Sequence, residues 1–492
     1  MRGRSIVPLP RSRHVNDSRK TLTAWVAAAA VGCTACGVAA QQTTEVIDLQ
    51  RYIELVMQLS DQVRDIDDDL VDRQLEVNLA ELAFDTRVTP LANFSVGAAT
   101  DTRSVGVEAQ RKNEFGTELG VGLESREVAS NTFAIVNPYN TRAFVRVSQG
   151  LLRNWGRRYN RFGLTVAELQ REKENLAAQR RRQDLLLDAI QRYHAAMLTE
   201  LLVERSAQAL QRAESYVASA RARYRAGLTS KADVYRAELA SLAAENGLKD
   251  QELAAARERE RLHDLLALDE AARYRPKQQF ERWTPLIPED WRDGVLQSRA
   301  EWQIQAVDRQ IADLRTFRAQ RDLSADLSLS LQFEQEGFGD TYEESTTLDE
   351  TEWSVLLEYR TSIQRGEEQN QLARQRRGRT RVARAGRALR RQIQREAREI
   401  LADLSASDRR YQISLQQLVQ AEQALKLAEI RFRRGLSSNA DVLDSETAFS
   451  SAELDVVSTL IAYNNVVARL GHVFGLLDER WLSTVVINPA TQ

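Results

Sequence analysis

Apolar residues recur along this chain with two different periods. In the C-terminal part, Ile393, Ile400, Leu404, Tyr411, Leu415, Leu418, Leu425 and Phe432 are separated only by steps of seven, four or three. That is the seam of a coiled coil. A weaker seam, Leu169, Leu176, Ile190 and Met197 with Gln183 filling a gap, runs through the first half. No proline interrupts Tyr139–Arg275 or Glu289–Asn488, so long helices can run unbroken there. The arm from Phe162 to about Tyr224 should extend on the order of 90 Å at 1.5 Å per residue. Between the helical spans the period falls to two. Leu91–Ala99, Thr117–Leu123, Arg142–Ser148, Ala325–Phe333 and Trp353–Arg360 alternate as strands, and Val105–Ala109 is a further candidate.

One segment occurs twice. Arg223–Ala240 (RYRAGLTSKADVYRAELA) and Arg431–Ala448 (RFRRGLSSNADVLDSETA) share ten of eighteen residues. Each copy has a helix-stopping glycine (Gly227, Gly435), then a leucine (Leu228, Leu436), a serine suited to N-capping (Ser230, Ser438) and an acid three residues later (Asp233, Asp441). With long helical pattern on both sides, each copy is the tip of an antiparallel helical hairpin. A duplication of this length predicts an internal two-fold repeat. The halves also align ahead of the strands, but there the first half carries about 25 extra residues, most simply an inserted hairpin.

The expected organisation is therefore an export segment over 1–40, N-terminal helices over 41–87, and a first strand region with the inserted hairpin over 88–150. A first helical hairpin over 151–270 and a linker over 271–291 complete the first half. A helix over 292–322, a second strand region over 323–362, a second hairpin over 363–475 and a tail over 476–492 complete the chain. The fold class is mainly α with β. The export segment has a basic start (Arg2, Arg4, Arg11, Arg13, Arg19, Lys20) and an uncharged stretch ending Val38-Ala39-Ala40, a small-residue cleavage pattern. The only two cysteines, Cys33 and Cys36, fall inside it. Cleavage after Ala40, lipidation at Cys33 and an uncleaved anchor are all readings of this segment. Beyond Gln41 nothing approaches the 18 or more apolar residues of a spanning helix.

Charge narrows the function classes. A net charge of −2 argues against a nucleic-acid partner. The basic run Arg374–Arg398 reads first as a solvated helix face, interrupted as it is by Glu396, and second as a patch for phosphate or lipid headgroups. The acidic Asp65–Asp69 reads first as a solvated face and second as a cation site. His194, His263 and His472 are isolated from one another, and no phosphate loop, nucleophile elbow or zinc spacing occurs. No catalytic residue, cofactor or metal is expected. Four strands cannot close a barrel, and open strand edges are not tolerated in lipid. Strands that meet a membrane here must be pooled from several chains.

The duplicated Gly-Leu-x-Ser-x-Ala-Asp-Val tips, the Leu151–Arg158 junction (LLRNWGRR), the Arg299–Ala306 start of the second half (RAEWQIQA) and the Leu49–Asn93 opening together resemble the TolC-like outer-membrane factors. The resemblance covers nearly everything after the export segment. It implies a homotrimer in the outer membrane with a periplasmic extension. Each protomer lends four strands to a shared twelve-stranded barrel and its helices to a tunnel. That tunnel meets a periplasmic adaptor protein and an inner-membrane pump, making the chain the exit duct of a tripartite efflux pump or a type I secretion system. Two departures are visible. Gly150 and Thr361-Ser362 stand where the family often has proline, and the inserted hairpin, found only in some relatives, could lie outside or above the barrel. The runner-up function is a periplasmic adaptor or coiled-coil scaffold, a class that carries one hairpin and lacks duplicated strand pairs.

The resemblance also points to a gate. In the family an Asp-Val-Leu-Asp at this tip closes the periplasmic end, and Asp441-Val442-Leu443-Asp444 matches it. Asp441 and Asp444, three apart, share a helix face; in a trimer they become two stacked carboxylate rings suited to a cation-attracting, openable constriction. Asp444 lies beyond the capping turn, and its counterpart in the first copy is Arg236. Asp233, the counterpart of Asp441 in the first tip, is the third residue expected at the gate, although Asp233 and Asp441 also have a simpler role available as N-terminal caps. Phe432 and Ser437 replace a tyrosine and an arginine found near the family's gate. Gly227, Leu228, Ser230, Gly435, Leu436 and Ser438 form the surface that an adaptor would grip, although Leu228 and Leu436 read equally well as hydrophobic cap contacts.

Overall fold

The computed structural model describes residues 44–130, 135–227, 229–267, 273–287, 291–434, 436 and 439–486. The export segment, the side chain of Phe432, and Leu228, Gly435, Ser437 and Ser438 lie outside the described residues.

The helical body is built from two very long hairpins. The first joins α4 (Phe162–Arg225) to α5 (Lys231–Asp264), and the second joins α9 (Gly366–Arg433) to α10 (Asn439–Val473). At 1.5 Å per residue the 64 residues of α4 extend roughly 95 Å. The seam expected in α9 is real: Ile393, Ile400 and Leu404 are buried, Tyr411, Leu415, Leu418 and Leu425 are half-buried, and Ser414 and Ala428 fill the intervening steps. Ala and Ser at these seam positions let the paired helices approach closely.

Shorter elements gird the middle of the rods. These are α1 (Leu49–Leu59), α2 (Asp61–Glu81), α6 (Trp291–Ser298), α7 (Ala300–Asp322) and α11 (Trp481–Val486). The largest core lies here, where Tyr52 and Val56 of α1 meet Ile190, Tyr193 and Met197 of α4, Leu262 of α5, Ile393 of α9 and Leu470 of α10, with Trp283 and Trp481. Arg299 is buried among them, and its guanidinium donates to Glu301 at 2.8 Å and to the Val473 carbonyl at 3.0 Å, with Glu396 at 3.1 Å. Those partners satisfy a charge that would otherwise be costly to bury. One pairing escapes the sequence pattern. β1 (Thr44–Ile47) runs parallel to β6 (Arg273–Pro276), tying the N-terminal segment to the linker.

The remaining strands form one antiparallel sheet: β2 (Arg87–Val96), β3 (Thr100–Lys112), β4 (Thr117–Ser130), β5 (Tyr139–Gly150), β7 (Asp326–Gly339) and β8 (Glu350–Arg360), in that order. A short helix, α8 (Tyr342–Ser345), lies between β7 and β8. Six strands of the chain thus share one sheet. The inserted hairpin β3–β4 lies within this sheet, pairing on both sides. Its turn is fastened to the start of the helices. Glu114 meets Arg157 of α3 (Arg157–Asn160) at 2.6 Å and Arg161 at 3.4 Å. Gly116 takes a positive φ there, and a Cβ would come within 2.7 Å of the Asn154 carbonyl, so only glycine fits the turn.

No proline is needed at the strand-to-helix passages. After Gly150 the chain is locked by Arg153 to Asp326 at 2.9 Å and by the Tyr159 hydroxyl donating to Asp322 at 2.8 Å. After Thr361 the guanidinium of Arg365 donates back to the Thr361 hydroxyl at 2.7 Å. Among the described residues no helix is long and apolar enough to cross a membrane.

Candidate functional site

The sheet divides cleanly into two faces, because residues directly opposite in register share one. Following the register from strand to strand, one face carries Val88, Pro90, Ala92 and Phe94 of β2, then Val105, Val107 and Ala109. It continues with Leu119, Val121 and Leu123, then Ala143, Val145 and Val147. It ends with Leu327, Leu329, Leu331 and Phe333 of β7 and Trp353, Val355, Leu357 and Tyr359 of β8. Many of these are well exposed, Trp353 at 73% and Phe94 at 68%. The opposite face is polar and cross-linked by charge: Lys112 to Glu118 at 2.9 Å, Arg142 to Glu124 at 3.0 Å, and Arg146 donating to Gln332 at 2.9 Å. An exposed apolar band on one side and a polar wall on the other is the alternation of a strand between lipid and an aqueous lumen.

At the far end of the rods the two tips differ. In the first, Gly227 has φ +72°, the left-handed stop expected of it. Ser230 accepts from the Asp233 amide, and Asp233 accepts in return from the Ser230 amide at 3.1 Å, the Ser230 hydroxyl at 2.7 Å and the Thr229 hydroxyl at 2.8 Å. Those hydroxyl bonds, and then the amide, hold the Asp233 carboxyl below the usual range. Arg236 stands 3.5 Å from the same carboxylate. Asp233 is thus engaged inside its own tip, which favours the capping role.

In the second tip, the Leu436 amide donates to the Arg431 carbonyl at 2.9 Å, the long closing bond of a helix-ending motif. The Leu436 side chain is 74% exposed. Asp441 and Asp444 lie exposed on successive positions of one face of α10, while Val442 and Leu443 between them turn inward. There they line a groove with Gln211, Tyr216 and Glu446. The structure therefore places Asp441 and Asp444 together, as their spacing predicts, and Asp233 in a separate setting.

Sequence reasoning missed what holds the tips side by side. Arg212 of α4 pairs with Glu446 of α10 at 2.7 Å, and Arg205 pairs with Glu453 at 2.9 Å. The two rungs are one heptad apart on each helix, so a search for heptad-spaced opposite charges on antiparallel seams is the signal that could have found them.

No family model and no curated protein matches the sequence. Solved structures do. The chain is similar in fold to CusC, whose structures concern transmembrane channel formation: 12% identity, 88% of this chain and 93% of that one, TM-score 0.68. It is similar to the outer membrane protein VceC of Vibrio cholerae: 16% identity, 87% and 96% covered, TM-score 0.64. It is also similar to the MtrE outer membrane channel of Neisseria gonorrhoeae in its open state: 15% identity, 87% and 89% covered, TM-score 0.67.

Proposed function

We propose that this chain, which has the TolC-like fold, is the outer-membrane exit duct of an efflux pump or a type I secretion system. It is a passive homotrimeric conduit whose helices extend into the periplasm toward an adaptor protein and an inner-membrane pump. The observation that carries the reading is the two-faced sheet. Its apolar band needs lipid, its polar face needs water, and its two open edges need partner strands. A single chain supplies none of these. Outer-membrane relatives of the same fold favour the same surroundings.

Control of passage falls to Asp441 and Asp444. They are exposed on one face of α10 at the tip, and in a trimer each becomes a ring of three carboxylates. Mutual repulsion makes such a constriction openable, and its charge makes it cation-attracting. Asp233 contributes to the shape of the tip through its cap. A periplasmic adaptor or scaffold would leave the lipid-compatible band without a role, so that reading is second.

The test is fractionation followed by planar-bilayer recording. A heat-modifiable trimer in outer-membrane fractions, giving cation-selective conductance, supports the proposal. A soluble periplasmic species with no conductance refutes it and favours the scaffold.

A further inference from the structure

The sheet has two border strands, β2 and β8, each paired on one side only, and every residue of both is exposed. β2 leads away from the helices and β8 returns to them, so β8 of one copy beside β2 of another continues the antiparallel pattern. The apolar band runs Val88–Val96 on β2 and Trp353–Tyr359 on β8. Each edge also carries one apolar residue on the polar face, Leu91 on β2 and Leu356 on β8. The neighbours of Leu91 there are Arg87, Thr89, Asn93 and Ser95; those of Leu356 are Glu352, Ser354 and Glu358. The antiparallel register that sets Leu91 directly opposite Leu356 lays Val88–Phe94 against Trp353–Tyr359, with Val96 beside Thr351.

The hairpin β3–β4 has the same credentials as the strands that flank it. Val105, Val107, Leu119, Val121 and Leu123 continue the band without a break, and Glu108, Glu118 and Glu124 continue the polar face. The row Val88, Ala109, Val121, Val145, Phe333, Trp353 bounds the band on its helix side at β2 and on its loop side at β8. The band therefore runs obliquely across all six strands, the tilt that barrel closure demands.

Resting on the reading proposed above, we infer that β3–β4 is part of the membrane wall and that β2 of each copy pairs with β8 of the next, Leu91 facing Leu356. Three copies then close a barrel of eighteen strands. Because barrel diameter grows roughly linearly with strand number, this wall is about half as wide again as one of twelve strands. The seam is a second copy's docking surface: main-chain hydrogen bonds supply the pairing, and the matched bands and leucines set the register.

The test uses the full chain with Cys33 and Cys36 replaced by serine, in outer-membrane fractions. With Leu91→Cys and Leu356→Cys together, a short bis-methanethiosulfonate should give covalent dimers and trimers and nothing larger. The opposite-face pair Leu91→Cys and Val355→Cys should stay monomeric. In parallel, bimane on Val107→Cys or Leu123→Cys should be quenched by nitroxide lipids as strongly as on Val145→Cys or Leu331→Cys, with bimane on Glu124→Cys quenched far less. Quenching at positions 145 and 331 alone removes the hairpin from the wall and overturns the inference while leaving the duct intact. A preference of position 91 for Ser354→Cys or Glu358→Cys, or rings of another size, overturns the seam. Quenching at no position overturns the duct reading itself.

Discussion

Arg212 on the first hairpin donates to Glu446 on the second at 2.7 Å, two residues beyond Asp444 and facing the groove lined by Leu443. It fixes the two hairpins of one chain to each other close to the tip. Both side chains are about a third exposed, so the pair contributes on the order of 0.5 kcal/mol. If opening separates the hairpins, Arg212→Ala should raise the open-to-closed ratio about two- to threefold for each protomer that opens. Arg205→Ala, one heptad up, should add a similar factor when combined. Open probability in planar bilayers measures both, and no change in the double variant would detach these rungs from gating.

Asp441→Ala with Asp444→Ala should remove cation preference and abolish block by trivalent cations added from the tip side, while leaving trimer yield unchanged. Reversal potentials in a salt gradient read the first effect and a titration with lanthanide ions reads the second. Conductance and selectivity identical to the parent would sink the gate assignment.

The Asp233 carboxylate is taken up by Ser230 and Thr229. Its carboxyl titrates below the ordinary range, so the cap is intact above the unfolded-state value near 3.9 and is lost as pH falls through the lower folded-state one. Ser230→Ala should cost α5 about 1 kcal/mol and speed amide exchange at residues 231–234. Cation selectivity should stay as it was, which separates a cap from a gate.

His194 is buried beside Trp283, with ring centroids 5.1 Å apart, and its Nδ1 lies 2.6 Å from the Asn465 side-chain oxygen. Burial pushes its pKa down to about 4, with the Asn465 hydrogen bond opposing. The neutral ring is therefore the folded form. Its stabilising effect is complete above the unfolded-state value near 6.5 and declines as pH falls toward 4, by up to about 3 kcal/mol. Urea midpoints measured from pH 7 to 4 should fall, and His194→Gln should flatten that dependence.

What could be read from the chain were the features set by neighbours in sequence. Heptad steps gave the rods, Gly227 and Ser230 gave a tip, and alternation located the strands. Long-range features were hidden. β1–β6 is four residues pairing with four, too short for any period, across more than two hundred residues. The strand Thr100–Lys112 shows clean alternation only over Val105–Ala109, because beyond the band both of its faces are polar. The Arg212–Glu446 rung joins two hairpins whose approach no local rule states. At the second tip, the placing of Asp441 and Asp444 on one helix face was legible from spacing alone. The engagement of Asp233 depended on where two hydroxyls point.

The exposed edges of β2 and β8 bear on how such a chain reaches its destination. One copy alone offers lipid two rows of unsatisfied backbone groups, so a solitary chain has no resting state in the bilayer. Insertion and assembly must then be a single event, with yield rising steeply with chain concentration. Until that event the apolar band has to be shielded in transit. A variant that weakens only the β2–β8 seam should be degraded as newly exported chain rather than accumulate as embedded monomer.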